Sequence, residues 1–213
     1  MGRRGGMVAL AALGFAALAA CGSTKAQTFT PQGGGSTAVP SASGSGPGSL
    51  AMPPFGSNAH IDMTNWMPAD PGQAQAVLTD KDYQLAYLYA EYTGGKDQRW
   101  TSYASTTMQP ELTSALAAPG VTTESFIGTI RFSHMTAIPD PNVRSEIDVS
   151  ACFDNAQSSN TNLRTGKVIP DNTPLDQHYF RYTDVLGKSI DGQWQEVSEF
   201  PHIYYPRAKE CKP

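Results

Sequence analysis

The sequence predicts an α+β domain in which helices come first and an antiparallel sheet of about four strands follows. Two observations carry that prediction. Between residues 79 and 118 apolar side chains recur at helical spacing, and from 128 onward the pattern changes to alternation of apolar and polar residues. A third bounds it: all 19 acidic residues lie from Asp62 onward, so the part of the chain that can fold is the segment 59–213, near the commonest size for one domain.

In chain order, Trp66 and Met67 sit among Pro, Asn and Asp, which reads as an irregular arm packed on the domain through Trp66. The first helix then opens with Thr79 or Asp80 as cap and Asp82 favouring its positive end. Leu85, Leu88, Tyr89 and Tyr92 share one face, and Gly94-Gly95 ends it. A second helical segment spans 97–105 with Trp100 and Tyr103 three apart. A third spans 109–118, opened by Pro110-Glu111 and closed by Pro119-Gly120. Residues 128–137 read as a strand through Ile130 and Phe132. Val143, Ile147, Val149, Ala151 and Phe153 alternate with Arg144, Glu146, Asp148, Ser150 and Cys152 in a half-buried strand. Segments 176–188 and 193–205 form a last pair around the turn 187–192.

Ahead of this domain the chain changes character. Arg3 and Arg4 precede an uncharged apolar run from Met7 to Ala20, the layout of an export signal. Its 14 residues fall short of the about 20 that cross a bilayer core. Leu18-Ala19-Ala20-Cys21 resembles the bacterial lipobox, which implies a signal peptide over 1–20 and a lipidated Cys21. The alternative is an ordinary secretory signal with an incidental cysteine. Gly5-Gly6-Met7 lacks the bulky residues expected after a twin-arginine pair, and the export route stays open. Residues 21–58, almost entirely Gly, Ser, Thr, Pro, Ala and Gln with Lys25 the single charge, read as a disordered tether. Acyl chains on Cys21 would then hold the protein at the extracytoplasmic face of the cell membrane.

With Cys21 assigned to lipid, Cys152 and Cys211 remain as a pair in an oxidising compartment, and a disulfide is expected; two buried free thiols are the alternative. The segment 59–213 carries 12 Lys plus Arg against 19 Asp plus Glu, a balance of −7, which argues against nucleic acid as a partner. His60 and His202 have no second ligand at metal spacing, and the sequence has no phosphate loop or nucleophile elbow, so no metal or cofactor is expected.

Ile147-Asp148-Val149-Ser150-Ala151-Cys152-Phe153-Asp154, Thr165-Gly166-Lys167, Asp191-Gly192-Gln193-Trp194 and the terminal Cys211 resemble small exported actinobacterial lipoproteins with the cone-shaped NTF2-like (SnoaL-like, cystatin-like) fold. That resemblance implies helices packed in the concavity of a curved sheet, leaving a cavity that some members use as an active site and others for docking. Tyr83, Tyr87, Trp100 and Tyr182 are candidates to line it. By strand alternation His178 and Asp184 share a face with Phe180, Tyr182 and Leu186, and His134 follows Ile130 and Phe132. The expectation is a non-enzymatic surface lipoprotein that binds a partner protein or a small apolar ligand at the envelope. An isomerase- or dehydratase-like enzyme using His134, His178 or Asp184 is the alternative, as is a structural envelope protein without a ligand.

Overall fold

A computed structural model describes residues 53–212. The expected signal peptide, Cys21 and all of the expected tether before residue 53 lie outside the described residues.

Within them the fold is α+β. Its elements are β1 (Ala59–Met63), α1 (Pro71–Tyr92), a 3-10 turn (Arg99–Ser102), α2 (Gln109–Leu116), α3 (Pro119–Thr123), β2 (Glu124–Pro139), β3 (Glu146–Asn162), a second 3-10 turn (Leu175–His178), β4 (Tyr179–Lys188) and β5 (Trp194–Tyr204). One five-stranded sheet runs in the order β1-β2-β3-β4-β5, antiparallel throughout except that β1 pairs with β2 in parallel.

Three expectations change. The arm before the first helix contains a strand: β1 aligns Ala59 with Gly128 and Met63 with Phe132, a pairing too short to show as alternation, and Trp66 stays 40% exposed. The fold also begins ahead of 59, because Phe55 sits edge-on to Tyr89 and Tyr92 at 5.3 and 5.4 Å and the Gly56 amide donates to the Tyr92 hydroxyl. Finally, α1 starts at Pro71. Asp70 accepts from the Gln73 amide at 2.9 Å as its cap, with Pro71 at the first helical position, so Thr79 and Asp80 are buried inside the helix. Pro119-Gly120 follows the end of α2 as expected and in addition opens the short α3.

The long helix is covered on two sides. Ala76, Val77 and Leu88 pack with Ile130, Phe132, Val149, Ala151 and Leu186 of the sheet. Tyr83, Ala86 and Ala90 pack with Trp100, Tyr103, Leu112 and Leu116 of the segment that follows. A helix enclosed this way shows no single apolar stripe. Gly94 and Gly95 take φ of +72° and +75° and end it as expected. Gly128, at φ +92°, lies against the Gln157 backbone, next to the register shift between Thr129 and Arg131 that bends β2. Cys152 and Cys211 form a disulfide, both nearly inaccessible, which fastens the segment after β5 to β3. Among the described residues no helix is long and apolar enough to cross a membrane.

Candidate functional site

Between α1 and strands β3, β4 and β5 lies a cleft of about 250 Å³. Helical spacing puts Tyr83, Gln84, Tyr87, Leu88 and Glu91 of α1 along one wall, and Leu112 of α2 adds to the lining. The sheet contributes Phe153, Phe180 and Tyr182, with Glu199 and His202 of β5. These rings continue a cross-strand ladder. Phe132 pairs with Phe153 and Phe153 with Phe180 in register, and the rings meet at 5.1 and 4.7 Å. His202 stacks on Phe180 at 4.4 Å while its Nε2 lies 2.7 Å from Glu199 Oε1.

Behind the wall three carboxyls are enclosed. Asp80 and Glu196 are 0% exposed and Asp184 is 1% exposed. Two lining residues are tied to them: the Tyr182 hydroxyl donates to Asp80 Oδ2 at 3.1 Å, and Gln84 Nε2 donates to Asp184 Oδ2 at 2.6 Å. Asp80 and Asp184 act on one another's titration, Asp184 lowering Asp80 and Asp80 raising Asp184, as a pair in which Asp184 holds the proton would. Burial, then the neighbouring Glu196 and Asp80 charges, hold Asp184 well above the carboxylate range. Burial raises Asp80 to about 7 against the lowering effects of Asp184, Tyr182 and Lys81. Glu196 is likewise held high by burial and by Asp80, and neither of its oxygens has a donor. On the cleft wall itself, burial pushes Glu91 up to about 7. Tyr83 and Tyr182 hold their protons well past the usual phenol range, chiefly through burial and then through these acids.

The residues expected at the site divide. Tyr83, Tyr87 and Tyr182 line the cleft, and Asp184 lies one layer behind it. Trp100 does not line it: the ring is fully buried in the apolar cluster with Tyr103 and Leu116, on the side of α1 that faces the following turn. His178 is not on the strand. Pro174 leads into a 3-10 turn, β4 begins at Tyr179, and alternation does not extend back past it; the His178 ring is held between Asn155 Oδ1 at 2.9 Å and Asp171 at 3.4 Å. His134 is exposed at φ +50°, because β2 is irregular between Ser133 and Thr136, and Met135 takes the inward place. It lines a separate cleft of about 260 Å³ beside the disulfide, where Arg131 lies 3.8 Å from Asp62 and 3.9 Å from Asp154. Those charges answer one another, whereas the acids by α1 do not.

Sequence reasoning missed Asp80, Glu91 and Glu196. For Glu196 a signal existed, since it shares strand parity with Trp194, which is buried. Asp80, Gln84, Tyr87 and Glu91 also follow helical spacing, visible once the helix is known to start at Pro71. Among the described residues no group of three or more His, Cys, Asp or Glu side chains is placed to hold a metal ion.

No protein-family model matches this chain, and no curated protein sequence matches it. Among solved structures it is similar to a ketosteroid isomerase-like protein from Erwinia carotovora atroseptica. Identity is 15%, coverage is 61% of this chain and 94% of that one, and the TM-score is 0.43. A second is a protein from Shewanella frigidimarina provisionally titled a ketosteroid isomerase, at 16% identity over 66% of this chain and 97% of that one, with a TM-score of 0.25. The α+β architecture rests on the strand order and on the packing of α1, independently of these two.

Proposed function

We propose that this chain is a lipid-anchored envelope protein of the NTF2-like kind whose domain captures a small, largely apolar ligand in the cleft between α1 and the sheet. The anchor is supported by Leu18-Ala19-Ala20-Cys21 directly after an uncharged apolar run. Capture is supported by one observation above the others: five aromatic rings, Tyr83, Tyr87, Phe153, Phe180 and Tyr182, converge on one concavity. Binding without turnover fits the way the polar tips of Tyr182 and Gln84 are spent on Asp80 and Asp184 behind the wall.

Native mass spectrometry of the full-length protein, released from detergent, is expected to show an acylated chain that carries a further few hundred daltons lost on denaturation. Cys21→Ser should lose the acyl mass and keep the ligand mass. A bare chain from both the source and a recombinant host would turn the reading toward docking of a protein partner or a structural role.

Glu91 favours a second reading, acid–base catalysis, because a carboxyl raised to about 7 on a cleft wall is suited to proton transfer near neutral pH. If the retained molecule is turned over, Glu91→Gln should lower the rate about a hundred-fold or more. Turnover that survives this substitution would remove Glu91 from the chemistry.

A further inference from the structure

Acids outnumber bases around the cleft. Its lining holds two acids, Glu91 and Glu199, and among the described residues no Lys or Arg joins them. His202, the one lining side chain able to become positive, is already paired with Glu199 at 2.7 Å. One layer further in come Asp80, Asp184 and Glu196, with Asp80 Oδ1 and both Glu196 oxygens lacking any donor. The cations nearest in sequence to it serve elsewhere: Lys81 Nζ donates to the Thr64 carbonyl at 2.6 Å, and Arg181, between Phe180 and Tyr182, lies 3.0 Å from Glu210.

Two physical effects act together in such a place. The faces of phenol and phenyl rings carry negative quadrupole potential and attract a cation within about 6 Å, most strongly where water is excluded. Enclosed acids that keep their protons while the cleft is empty can release one to face an incoming cation, and water screens the resulting pair poorly. A carboxylate or phosphate ligand would meet repulsion from Glu91 and Glu199 and no partner. A neutral ligand would gain apolar contact and nothing from the field. A cation with an apolar body gains from both, and it supplies Glu91 with the opposite charge that burial otherwise denies it. Size narrows the class: about 250 Å³ is below the roughly 300–1,000 Å³ of drug-sized sites, so one ring or a branched alkyl group fills it.

We propose that the ligand of this cleft is a small organic cation, a quaternary ammonium or protonated amine carrying one apolar group, held over the Tyr83, Tyr87, Phe180 and Tyr182 rings with Glu91 and Glu199 as counter-charges. This rests on the ligand-capture reading above and specifies its chemistry.

Three probes of nearly one shape test it on the full-length protein in detergent, by ligand-observed NMR titration up to millimolar concentration. They are 4-(trimethylammonio)benzyl alcohol, its neutral isostere 4-tert-butylbenzyl alcohol, and the anion 4-tert-butylbenzoate. The cation is expected to bind at least about ten-fold more tightly than the neutral alcohol, although the alcohol is the more hydrophobic, and the anion should be weakest. Glu91→Gln should erase most of that preference while leaving the neutral alcohol's affinity within about two-fold. Equal or tighter binding of the neutral alcohol overturns the cation assignment and leaves capture of an apolar ligand standing. Tightest binding of the anion overturns it too. If none of the three binds and native mass spectrometry retains nothing, the capture reading falls with it.

Discussion

Stability of the folded domain is expected to fall as pH rises from about 4 to about 8. Asp80, Asp184, Glu196 and Glu91 are all carboxyls whose folded-state pKa lies above the ordinary value, in each case first because burial disfavours the charge. In that window the folded state therefore holds more protons than the unfolded chain. Under linkage the contribution of these groups is fully present below the unfolded value near 4 and is lost as pH climbs through the folded values, about 7 for Asp80 and Glu91. A rise of some three units in one buried carboxyl is worth on the order of 4 kcal/mol, and neighbouring acids add to it with shared protons. Denaturant midpoints measured every half unit from pH 4.5 to 8 should decline and then level off. A midpoint that is flat or rises over that range would mean the acids are not enclosed together.

The decisive variant is Asp184→Asn. Asp184 keeps its proton longest within the Asp80–Asp184 pair, because Glu196 and Asp80 both oppose its charge. An asparagine imitates the protonated acid: its carbonyl can accept from Gln84 and its amide can donate to Asp80. Asp184→Asn should leave the midpoint almost unchanged wherever Asp184 keeps its proton, from pH 5 upward, and raise it only at the alkaline end where that proton would be lost. Glu196→Gln should act in the same direction, since it removes a charge neither of whose oxygens has a donor. Asp184→Ala, by contrast, should destabilise at every pH, because Gln84 loses its acceptor and a cavity is left.

Much of the fold was legible because its strands have one wet and one dry face. Ile147, Val149 and Ala151 are buried as alternation placed them, and Tyr182, Asp184 and Leu186 occupy one side of β4. What resisted were places where a local rule stopped. Alternation cannot see the irregularity after Ser133 that turns His134 outward, or the 3-10 turn that takes His178 off the strand. The helix start was misplaced because Thr79-Asp80 before apolar residues looks like a cap, while the true cap, Asp70, is followed by Pro-Gly, which reads as a loop. That error hid the site, since an Asp at a helix cap is solvated and ordinary whereas an Asp in its tenth position faces the sheet. Buried carboxyls are invisible to any pattern that assigns charge to the surface.

The second large effect concerns the disulfide, whose loss is expected to reach the cleft from outside it. Cys152 and Cys211 are 59 residues apart, and the chain-entropy account gives a closure of that length about 4 kcal/mol. The other ties at the end of the chain are few: the Tyr205 amide donates to the Tyr179 carbonyl at 2.9 Å, and the Tyr204 ring lies 5.3 Å from Phe180. Ala208 and Ile203 pack around the sulfurs, and Arg181 reaches Glu210 at 3.0 Å through a half-exposed pair that is worth little by itself. Much of the outer half of β5 is exposed, with Phe200 50% and Tyr204 45% accessible, so its pairing to β4 has only modest burial behind it. That half carries Glu199 and His202 of the cleft wall. Cys152→Ser together with Cys211→Ser should lower stability by about 4 kcal/mol. In the reduced protein, amide exchange should quicken over residues 198–211 before it quickens in β2 or β3. Cation binding should weaken under the same reducing conditions, because one of its two counter-charges is then on a fraying strand. Exchange that stays slow across 198–211 after reduction would show that pairing with β4 alone is enough to hold this wall, and the disulfide would then bear on global stability without shaping the site.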